Sequence, residues 1–139
     1  MSRKLDAAIA EALGYKLIEP GAEMFGILMP EDDCFARVVE VVANKWGIGA
    51  TVKTRYKRIP EYSTDGNAML VLIAEARRLL WYLSINSQGT HFKAIIGKCE
   101  VNEHDMVITH TAISPIVESL PYAVALAAYK ALTGEGWTE

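Results

Sequence analysis

Apolar residues recur at helical spacing in several stretches of the chain, separated by stretches that alternate. Leu5, Ala8, Ile9, Ala12 and Leu13 form one such stripe, with Ser2 able to cap its start and Gly14 to stop it, which predicts a helix over Arg3 to Leu13. Tyr15 to Ile18 reads as a short strand before the Glu19-Pro20-Gly21 break, and Phe25 to Met29 as a second short apolar run ended by Pro30. After Glu31-Asp32-Asp33, Phe35, Val38, Val39 and Val42 repeat at i, i+3, i+4 and i+7. The spacing predicts a helix to about Lys45, although so many valines favour a strand. Gly47-Ile48-Gly49 breaks that pattern, and Ala50 to Ile59 then alternates as a strand, closed by Pro60.

The second half is more regular. Ser63 or Thr64 can cap a helix in which Met69, Leu72, Ile73, Ala76 and Leu80 form the apolar stripe, with Asp65 complementing the helix dipole. Trp81 to Ile85 and Thr90 to Ile96 read as strands joined by a turn over Asn86-Ser87-Gln88-Gly89, with Phe92, Ala94 and Ile96 on one face. A polar loop from Gly97 to His104 leads to a third strand, Met106 to Thr111, that continues an antiparallel meander. Ser119-Leu120-Pro121 then starts a final helix that Gly134 ends, buried along Leu120, Val124, Ala127, Ala128 and Ala131. Trp137, beyond it, must either dock or stand exposed.

Length and composition narrow the class of protein. The 139 residues suit a single domain, 1–139, and 51% hydrophobic against 22% charged residues excludes intrinsic disorder. Lys and Arg number 14 against 17 Asp and Glu, for a net charge of −3, so general nucleic-acid or anionic-membrane binding is not expected and any anion site must be local. Cys34 and Cys99 read as free thiols in a cytoplasmic protein. No apolar run reaches the roughly 18 residues of a membrane span, and the N-terminus does not read as a secretory signal.

One local feature carries chemistry. Lys53-Thr54-Arg55-Tyr56-Lys57-Arg58 concentrates four cations in an acidic chain, and strand alternation puts Lys53, Arg55 and Lys57 on one face. Arginine can offer paired donors to a phosphate, while Tyr56, Tyr62 or Trp81 can stack on a base. The same pattern also describes a solvated edge strand guarded by lysine. His91, Cys99, His104 and His110 lack the spacing of a known zinc site, so no metal is expected. There is no nucleophile elbow or Walker loop, and Gly47-Ile48-Gly49-Ala50 does not substitute for one. No cofactor is expected and no catalytic residue is assigned.

Leu5-Asp6-Ala7 with Gly14-Tyr15, Tyr62-Ser63-Thr64-Asp65, the Trp81 to Ile96 hairpin, and Ser119-Leu120-Pro121-Tyr122-Ala123 through Ala131-Leu132 together resemble the phage ABA sandwich domain family. The segment from Glu19 to Ile59 departs from that pattern, being longer and carrying the basic strand. The resemblance implies an α+β fold, a helix-sheet-helix sandwich with an antiparallel sheet flanked by helices, encoded by a phage or prophage and acting in the host bacterial cytoplasm. By analogy with small phage proteins that sequester nucleotide signals of host defence, the expected function is non-enzymatic binding of a nucleotide-like small molecule by a homo-oligomer. Lys53, Arg55, Lys57 and Arg58 would hold phosphate there, and Tyr56, Tyr62 or Trp81 would stack. The alternative is inhibition of a host protein by direct contact, through Trp137 and the apolar stretch from Phe25 to Met29.

Overall fold

The computed structural model describes residues 3–24, 26–30, 32–43, 47, 49–79 and 81–138. Helix α1 spans Arg3–Ala12, as its stripe predicts, and β1 (Lys16–Leu17) follows the Gly14 turn. Strands β2 (Glu23–Met24) and β3 (Ile27–Leu28) pair as a minimal hairpin. Phe25, between them, lies outside the described residues, as do Ser2, Lys45, Ile48 and Leu80.

The segment read as a helix after Asp33 is instead strand β4 (Phe35–Ala43), paired antiparallel with β5 (Ala50–Arg58) over its whole length. Two physical facts account for the difference. Valine loses rotamer freedom in a helix and fits a pleated sheet. A strand with valines on both of its faces also shows no alternation, so the spacing of Phe35, Val38, Val39 and Val42 imitates a helical stripe.

Helix α2 (Gly66–Arg78) is capped by Asp65, whose carboxylate accepts from the Asn67 amide at 3.2 Å, rather than by Ser63 or Thr64. Ser63 is instead buried. Strands β6 (Trp81–Gln88), β7 (His91–Val101) and β8 (Met106–Ile113) form the expected meander, but Gly97 to Val101, read as the start of a polar loop, extend β7 by pairing with β8. Its first turn is Gly89-Thr90, tighter than expected, because Gly89 adopts a φ of +62° and lets Gln88 face His91. Helix α3 (Leu120–Thr133) has the predicted Ser119 cap, Pro121 in the first turn, and Gly134 as left-handed stop.

The chain is thus an α+β protein. In place of the single flanked sheet expected, its strands divide into two three-stranded antiparallel sheets, β1-β4-β5 and β6-β7-β8, beside the β2-β3 ladder. Helix α3 packs on β7 and β8 and also against α1 and α2. Every residue from Ala123 to Ala128 is therefore buried, and not the expected single face alone. Ala123, Ala125, Ala127 and Ala128 let the surrounding elements approach closely. The core gathers Leu5, Ile9, Ile59, Tyr62, Leu72, Ile96 and Val124 around this helix. Trp137 docks edge-on against Tyr129 with ring centroids 5.1 Å apart, so the residue offered as a partner contact is occupied within the chain.

Candidate functional site

The β4-β5 hairpin projects as an arm. Among the described residues, β1 pairs with it at Ala36 and Arg37, Ile18 adds one bond to Phe35, and β4 and β5 otherwise pair with each other. The ladder sets the two faces of the arm. Lys53, Arg55 and Lys57 lie opposite Glu40, Val38 and Ala36, as strand alternation predicts. On the other face Val41 lies opposite Val52 and Val39 opposite Thr54. Val39, Val41 and Val52 are 54%, 70% and 63% exposed, so this apolar face is open.

The cations are largely engaged within the chain. Arg55 pairs with Glu40 at 2.7 Å. Lys57 donates to the Tyr15 hydroxyl at 3.1 Å and lies 5.0 Å from that ring's centre. Arg58 donates to Asp33 at 2.7 Å and to Glu61 at 3.4 Å. Lys53 is exposed on the outer half of the arm. Tyr56 shares this strand but lies on the valine face. Tyr62 is in the core, with no open ring face for a base, and half-buried Trp81 opens the other sheet. The structure thus brings Lys53, Arg55, Tyr56, Lys57 and Arg58 onto one strand and leaves Tyr62 and Trp81 elsewhere.

A charged knot, not anticipated from the sequence, fixes the base of the arm. Arg3 donates to Asp33 at 2.7 Å, to Asp6 at 3.1 Å and to the Ile59 carbonyl at 2.6 Å, tying α1 to both strands' ends. Asp6 is buried and accepts from the Ser63 amide at 2.9 Å. An acid beside Leu5 and Ile9 on a buried helix face was the available signal, since a carboxylate is tolerated there only when paired.

Partial burial pushes the Asp33 carboxyl up, but bonds from Arg58, the Cys34 amide and Arg3 outweigh it and hold the group below its ordinary range. Its stabilising effect is therefore complete above the ordinary carboxylate range and is lost as pH falls through the lower, folded value. Asp33→Asn should be less stable than the wild type in urea at neutral pH, and the gap should close in strong acid. A gap independent of pH would show that the charge of Asp33 is not what matters. Burial also pushes the neighbouring Cys34 thiol up, away from the reactive thiolate.

A cleft of about 420 Å³ opens between β7, β8 and the end of α3, lined by Lys98, Thr111, Lys130 and Thr133 among others. Two lysines favour an anion there, whereas the carbonyl end of α3 opposes one. In the Phe25 to Met29 stretch Leu28 is exposed and Met29 buried, while Phe25 and the side chain of Ile27 lie outside the described residues. Among the described residues, no group of three His, Cys, Asp or Glu could hold a metal, and no helix is long and apolar enough to cross a membrane. The side chain of His110 lies outside the described residues.

Fold and arm together define an α+β protein that presents a β-hairpin with an apolar face. No protein-family model, curated protein or solved structure matches the chain.

Proposed function

We propose that this is a non-enzymatic binding protein that engages a partner protein through the β4-β5 arm. The observation that carries this reading is the side-by-side exposure of Val39, Val41 and Val52. Clustered apolar side chains in water are costly and mark contact surfaces more often than single exposed ones do. If the phage setting implied by the resemblance holds, the partner is a host protein.

Sequestration of a phosphate-bearing small molecule is the second reading, favoured by the Lys98 and Lys130 cleft rather than by the basic strand. The two readings separate in one preparation. The wild type and a Val39→Thr, Val41→Thr, Val52→Thr variant are used to capture bacterial proteins by crosslinking, and small molecules released from the wild type are analysed by mass spectrometry. Threonine keeps the shape and strand preference of valine and puts a hydroxyl in place of one methyl. The expected result is a captured protein that the equally folded variant loses. Capture unchanged in the variant would overturn the arm reading, and an intact nucleotide in the released fraction would favour the cleft.

A further inference from the structure

We propose that the open edge of β5 takes up an extended, acidic strand of the partner, adding it to the sheet. This rests on the arm-contact reading and names the chemistry of its partner. In the order β1-β4-β5, β5 is an edge, and among the described residues no strand pairs with its other side.

The hydrogen-bonding phase of the edge follows from two backbone bonds. The Ile59 amide donates to the Cys34 carbonyl at 2.9 Å, and this pair continues the β4-β5 register. The Ile18 amide donates to the Phe35 carbonyl at 2.9 Å, so Phe35 turns its backbone towards β1 and away from β5. Alternation along an antiparallel ladder then directs the backbone groups of Lys53, Arg55 and Lys57 to β4. Those of Val52, Thr54 and Arg58 point outwards, to the side an added strand would take.

The side chains define what would fit. An added strand would run beside Lys53 and Arg55 on one face and beside Val52 and Thr54 on the other. β4, the strand already paired with β5, shows the matching pattern. Glu40 faces Lys53 and pairs with Arg55 at 2.7 Å, while Val39 and Val41 flank it on the opposite face. A fitting partner strand therefore sets carboxylates beside Lys53 and Arg55, as β4 sets Glu40, and β-branched residues on the other face. A second β5 would not fit, because antiparallel pairing of two such edges sets Lys53, Arg55 and Lys57 against their own kind.

The test uses the full chain and fluorescent peptides as long as β5, alternating Glu and Val between Thr ends, with Gln or Lys replacing Glu in the controls. Anisotropy at low salt should show the Glu peptide binding about fivefold more tightly than the Gln peptide, the sum of two exposed ion pairs. That preference should shrink with added salt and disappear in Lys53→Gln, Arg55→Gln. Thr54→Pro removes one outward amide while sparing the β4 ladder and should weaken binding about tenfold. Val52→Pro does the same at the next outward position, and circular dichroism of both variants confirms that the fold persists. Equal binding of the three peptides, no binding, or full binding by both folded proline variants would overturn the proposal. Should the peptides fail while the triple threonine variant still loses its captured protein, the edge proposal falls and the arm reading stands. If both fail, both fall.

Discussion

Asp6→Ala should lower the stability of the protein by about 2–4 kcal/mol, although Asp6 touches no proposed contact surface. Its carboxylate is 1% exposed and joins two parts of the chain, accepting from the Ser63 amide at 2.9 Å and from Arg3 at 3.1 Å. Alanine leaves the buried Ser63 amide without that acceptor and removes one of the two carboxylates facing Arg3. Arg3 also holds the Ile59 and Pro60 carbonyls at the root of β5, so the arm's attachment should loosen as well. Asp6→Asn keeps an acceptor for Ser63 and gives up the charge, and should cost about half as much. Urea denaturation of the two variants measures the difference. A loss below about 0.5 kcal/mol for Asp6→Ala would mean that water replaces the carboxylate and that the knot does not hold the arm.

Tyr62→Ala should cost about 3–5 kcal/mol, the usual range for emptying a large aromatic site in a core. Tyr62 is 2% exposed and packs in the same cluster as Leu5, Ile9, Ile59 and Leu72, at the point where the arm's root meets α2. Burial, aided by the charges nearby, raises its hydroxyl above the ordinary tyrosine range. The folded state thus keeps the phenol protonated where the unfolded chain ionises. The associated stability is complete below the ordinary tyrosine value and falls as pH climbs past it. Tyr62→Phe should keep most of the packing and remove this part of the alkaline loss, which thermal melts across that pH range would reveal. If Tyr62→Ala melted like the wild type, the ring would be free to leave the core and stack on a ligand after all.

The parts of the fold that were legible from the sequence are those settled within a few residues. Ser119, Pro121 and Gly134 act on their own helix, and the α1 and α2 stripes need only one buried side each. The alternation of Lys53, Arg55 and Lys57 likewise survived, because the pleat of a strand is local. β4 was not legible, since its strand state depends on a partner that begins seven residues after it ends. The candidate site divides in the same way. Sequence placed the cations together, but not the Glu40, Tyr15, Asp33 and Glu61 groups that engage three of them.

By itself, then, the sequence determined both ends of α3, the meander, the α+β class and the clustering of charge on one strand, because propensity, capping and pleat act over short distances. Tertiary structure alone decided that a valine-rich segment becomes half of an arm, that Tyr62 and Trp137 turn inward, and that Asp6 lies buried beneath Arg3. Those outcomes depend on which surfaces meet across long separations, where burial and pairing outweigh local preference.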